Sequence, residues 1–170
     1  MTFKLSLAKL FKPLRGIAFV AVVVTGVSAI LEHGLDGFMI KCFAGLFGVM
    51  ALPMFYLIVH YYYNTKNMVV EITPDTIIST ELATGETIRE PIKDLVLIKL
   101  FKSKNMEEVK RAKYSTENYY YAEIFIRDKK VIILTSVMEP SIDVALGLLK
   151  DVKVKFIPTA LATITWGWNE

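Results

Sequence analysis

The sequence predicts an α+β protein: an N-terminal transmembrane α-hairpin, then a small antiparallel β-barrel or sandwich capped by one C-terminal helix. Three observations predict it. Two long apolar runs occupy residues 14–31 and 38–63. From about residue 68 the pattern changes to short alternating runs rich in β-branched and aromatic residues. After Pro140, Ile142, Ala145, Leu146 and Leu149 recur at helical spacing.

The apolar excess belongs to the first part of the chain. Hydrophobic residues make up 54% of the 170, and the mean hydropathy is +0.43. Ordinary soluble domains hold about 45–50% apolar residues. Crossing about 30 Å of hydrocarbon takes about 20 mainly apolar residues. The two runs therefore read as spans of about 14–33 and 40–62, within a hairpin over residues 14–63. Glu32, Gly34, Asp36 and Gly37 between them read as a tight turn. Small residues at Ala21, Thr25 and Ala29, and at Ala44 and Gly48, would let two helices approach closely. Pro53 predicts a tolerated kink. Tyr56, His60, Tyr61, Tyr62 and Tyr63 read as an interfacial aromatic belt.

Charge sets the expected orientation. Residues 1–66 carry six bases and two acids, while the remainder carries 14 bases and 15 acids. Lys4, Lys9, Lys12 and Arg15 precede the first run without an acid among them. Positive flanks stay cytoplasmic. The expectation is a multi-pass protein of the cytoplasmic (inner) membrane with both termini inside, in contact with membrane lipids. A rival reading makes the first run a signal peptide with Val27-Ser28-Ala29 at its cleavage site. Residues 1–13 form a basic amphipathic segment, either an interfacial helix carrying Phe3, Leu7, Leu10 and Leu14 or a basic tail.

A β domain is expected over residues 67–158. Alternation places strands at 68–73, 76–82, 86–92, 95–102, 119–127 and 130–135, with Gly85 in a hairpin turn. Residues 103–117 form a long polar connection. A helix of about 140–151 and a short strand at 152–156 follow, and residues 159–170 are a C-terminal tail.

Several segments carry a resemblance. They are Val70-Glu71-Ile72-Thr73-Pro74-Asp75-Thr76-Ile77, Glu90-Pro91-Ile92-Lys93-Asp94-Leu95, Ile124-Phe125-Ile126 and Val131-Ile132-Ile133-Leu134, with the helix around 142–149. In order and hydrophobic pattern they resemble bacterial pleckstrin-homology-like (PH-like) domain proteins with an N-terminal two-helix transmembrane hairpin. The resemblance implies a membrane-tethered scaffold and no particular chemistry.

The chemistry-bearing residues are few. His33, His60 and Cys42 have no partners at catalytic or metal-ligand spacing. The expectation is a non-enzymatic protein with no cofactor and no metal. The near-neutral β domain argues against nucleic acid as a partner. A second membrane or cytoplasmic protein is expected as the partner, and self-association is left open. Two candidate contact sites stand out. The first is the basic set Lys102, Lys104, Lys110, Arg111 and Lys113, suited to an anionic lipid or a partner. The second is the pair Trp166 and Trp168, suited to an interface or a partner. Two roles follow, a protein-binding or scaffolding module and an anionic-lipid-responsive module that uses the 102–113 loop.

Overall fold

A computed structural model describes residues 1–15, 18, 19, 22, 37–108, 115–127 and 131–164. Its elements are β1 (Thr2–Leu5), α1 (Leu7–Phe11), α2 (Gly37–Thr65), β2 (Met68–Ile72), β3 (Thr76–Glu81), β4 (Thr87–Pro91) and β5 (Leu95–Lys102). There follow α3 (Lys104–Glu108), β6 (Tyr121–Ile126), β7 (Val131–Thr135), β8 (Met138–Glu139), α4 (Ile142–Leu148) and β9 (Val154–Pro158).

The strands form two sheets, ordered β4-β3-β2-β1-β8 and β7-β6-β5-β9. They do not close into a barrel; they face each other across a core. The first sheet contributes Phe3, Val70, Ile72 and Ile77, and the second contributes Ile98, Ala122, Ile124, Ile132 and Leu134. Ile142, Ala145 and Leu149 of α4 and its C-terminal turn close this core. Alternation explains the arrangement, because successive side chains on a strand point to opposite faces.

The second sheet is buried on its other face as well. Tyr121 and Ile133 pack there against Met54, Leu57, Ile58 and Tyr61 of α2 and Leu10 of α1. The layers therefore run first sheet, core, second sheet, second core, α2. This accounts for the almost unbroken burial of β6 and β7. A strand covered on both faces reads as a continuous apolar run.

The layering corrects several expectations. Among the described residues no helix is long and apolar enough to cross a membrane. The transmembrane hairpin, and with it the multi-pass inner-membrane placement, is therefore not sustained. Most of the run at 14–31 lies outside the described residues, as does the link at 32–36 with His33. The run at 38–63 is apolar for a different reason where its side chains are described. Met54, Leu57, Ile58 and Tyr61 cover the outer face of the second sheet. Pro53 sits within α2.

The barrel capped by one helix is likewise corrected to two sheets with α4 at their core. The N-terminal segment departs from both of its expected forms. β1 lies between β2 and β8, with Phe3 opposite Val70 and Leu5 opposite Met138. α1 buries Leu10 completely, and Lys9 fixes its position through Glu139 at 2.8 Å and the Met138 carbonyl at 2.9 Å. β9 joins the second sheet parallel to β5, with Ile98 opposite Val154. Sequence separation hides both pairings from a local reading.

Candidate functional site

The helix α2 carries apolar side chains on two faces, and the β domain uses one of them. Ala51, Met54, Leu57, Ile58 and Tyr61 are buried. Leu52, Phe55, Tyr56, Val59, Tyr62 and Tyr63 are exposed, Leu52 by 69% and Val59 by 53%. Their spacings of three, one, three, three and one residues draw a single stripe along a helix. No charged residue lies between Lys41 and Lys66. Contiguous exposed apolar surface is what protein–protein and membrane interaction sites present.

Polar contacts hold the helix in place under this stripe. Tyr61 donates its hydroxyl to the Ala162 carbonyl at 2.8 Å. Tyr119 donates to the Leu10 carbonyl at 2.6 Å, and its ring meets that of Tyr61 edge-on at 5.2 Å. Burial pushes both phenols above their ordinary range, and for Tyr61 the neighbouring Tyr121, Tyr119 and Tyr120 add to the effect. Both therefore stay protonated and act as donors throughout the neutral range. Tyr120 is also pushed up, by burial and by Asp143, to which it donates at 3.3 Å.

His60 contributes a further clamp. Its Nε2 accepts the Ile164 N–H at 2.8 Å, and its ring stacks on Tyr56 at 5.6 Å. Burial lowers its basicity. An accepting Nε2 must also carry its lone pair. His60 is therefore a neutral acceptor that fastens the C-terminal tail to α2, not the interfacial residue the sequence reading made of it. With Ala162 and Ile164 buried in the second core, the tail packs back on the helix as far as the described residues go.

Of the two sites expected from sequence, only Lys102 and Lys104 lie among the described residues. Lys102 is nearly buried; it pairs with Glu107 at 3.7 Å and lies 5.3 Å from the Tyr120 ring centroid. Lys104 pairs with Glu108 at 3.6 Å. Lys110, Arg111 and Lys113 lie outside the described residues, as do Trp166 and Trp168. The structure thus does not bring the basic set together among the described residues. Its first two members belong to local ion pairs made with acids of the same segment.

The stripe itself is not visible in the sequence, where the apolar run reads as a membrane span. A signal was present. His60, Tyr61 and Asn64 interrupt the apolar run with groups that need hydrogen bonds, and the C-terminal tail supplies partners to His60 and Tyr61.

No family model, no curated protein and no solved structure matches the chain. The resemblance to PH-like membrane proteins is corrected accordingly. Neither a family match nor a membrane-crossing helix among the described residues supports it, and the observed strand order places the N-terminal β1 inside the first sheet.

Proposed function

We propose that this chain is a non-enzymatic protein-binding module and that the exposed stripe of α2 is its docking surface. The observation that carries the proposal is the unpartnered apolar set Leu52, Phe55, Val59 and Tyr62, supported from beneath by a packed sheet. Positions 52, 55, 59 and 62 repeat with the three-four alternation of a helix seam. The partner that fits is an uncharged apolar helix of another protein, laid along α2 as a ridge in its groove. Tyr56 and Tyr63 widen the seam with rings that are both apolar and able to hydrogen-bond.

The histidine supports the non-enzymatic part of this reading. The Nε2 of His60 is already engaged by the Ile164 amide, so a general-base role would require dismantling the tail clamp. An anionic-lipid module draws less support, because Lys102 and Lys104 are already paired with Glu107 and Glu108.

The test compares full-length wild type with L52E/V59E, purified by tag from the cells of origin. The expected result is one stoichiometric protein with wild type, lost with the variant, while both chains melt together because neither position is buried. Recovery of the same partner with L52E/V59E would overturn the proposal. So would lipid vesicles binding wild type in place of any protein.

A further inference from the structure

A cleft of about 440 Å³ lies where the end of α2 meets the β3–β4 hairpin and Val131 of β7. Its acidic side is built by strand register. Thr80 faces Thr87 and Ser79 faces Ile88, and the Glu81 N–H donates to the Glu86 carbonyl at 2.9 Å. Glu81 and Glu86 are therefore cross-strand neighbours, on the same face as Ser79. Like charges directly opposite each other on a sheet repel. Neither carboxylate forms an ion pair among the described residues. Glu81 accepts only a neutral hydroxyl, that of Thr84 at 3.2 Å. Lys66 is turned instead to Tyr63, 4.6 Å from its ring centroid.

A second, independent observation comes from Ser79. It lines the cleft, is 7% exposed, and its hydroxyl has no hydrogen-bond partner among the described residues. No fully enclosed side-chain nitrogen or oxygen among those residues lacks a partner. The Ser79 hydroxyl must then be reached from the cleft. A buried hydroxyl normally has a partner, and here the open side is the one shared with two uncompensated carboxylates.

We propose that this cleft binds an organic cation with a short apolar stem, the guanidinium or ammonium end of an arginine-like or lysine-like group. The carboxylates match the forked donors of a guanidinium. Met68, Ile88 and Val131 line the cleft and suit an alkyl stem. Among the described residues no three carboxylate, imidazole or thiol groups converge as a metal would require. The site stands apart from the docking stripe except for Tyr63, and its test does not depend on that surface.

Calorimetric titration of the full chain with agmatine, with an acetyl-Gly-Arg-Gly-amide peptide and with magnesium chloride separates the sources. Binding of agmatine and the peptide alike assigns the site to the cationic group itself. Binding of the peptide alone assigns it to a protein-borne arginine, and binding of agmatine alone to a free amine. In each case E81Q/E86Q should weaken binding by about tenfold or more, and S79A by less. E71Q should leave it unchanged, since Glu71 points away from the cleft. E81Q/E86Q should melt no lower than wild type, because it removes a like-charge pair. Equal binding by wild type and E81Q/E86Q would overturn the proposal, as would binding of magnesium alone or no binding at millimolar probe.

Discussion

Protonating His60 removes the lone pair that accepts the Ile164 amide, so the tail clamp is acid-labile. Burial lowers the folded-state pKa of His60 below its ordinary 6.5. The unfolded chain therefore binds the proton more readily, and the clamp's contribution is fully present above about pH 6.5 and lost as pH falls through the lower folded value. Hydrogen exchange at the Ile164 amide should accelerate on acidification more than the intrinsic exchange chemistry accounts for. In H60F that amide should exchange rapidly at every pH. Glu123 behaves in the opposite sense. Burial raises its pKa, and Lys99 opposite it in the register pulls the other way. Stability from this group is present below about pH 4.5 and declines as pH rises through its folded value. E123Q should accordingly raise the melting temperature at pH 7.5 and change it little near pH 4, as thermal denaturation at both pH values will show. Tyr61→Phe strands the buried Ala162 carbonyl and should cost about 1–3 kcal/mol in urea denaturation. None of these three roles is legible in the sequence. Each depends on a partner more than 20 residues away, and alternation assigns a face without naming what covers it.

Among the elements, the strands from β2 to β7 were the most legible, because period-two alternation and the Gly85 turn are local signals. Gly85 does adopt a positive φ of 75°, which a side chain would strain. β1 was not legible. Its four residues gain strand character only from the edges of β2 and β8, which lie more than 60 residues away. Phe3 is fully buried at that junction, so Phe3→Ala should cost about 3–5 kcal/mol of stability. A loss under 1 kcal/mol in denaturant unfolding would show that β1 is not integral to the sheet. α2 was legible as an apolar helix but not as a covering layer. Hydrophobicity all round a helix fits a buried core as well as a lipid span, and sequence alone does not separate the two.

For the molecule as a whole, the successive layers give α2 two roles, covering the second sheet with one face and offering the other. A helix anchored through Tyr61, His60 and the second core presents its free face with little conformational freedom left to lose, which favours binding. The residues proposed for docking are plain in the sequence, but their exposure follows from which face the sheet occupies. That became visible only with the second core in place. The measurement closest to this central claim is a photo-crosslinking scan, in the cells of origin, with a benzophenone amino acid placed singly at each position from 51 to 63. Helical periodicity is the predicted result, with crosslinks to one protein at 52, 55, 56, 59, 62 and 63 and none at 51, 54, 57, 58 or 61. Crosslinks spread evenly around the helix, or formed only with lipid, would contradict a protein docking face on α2.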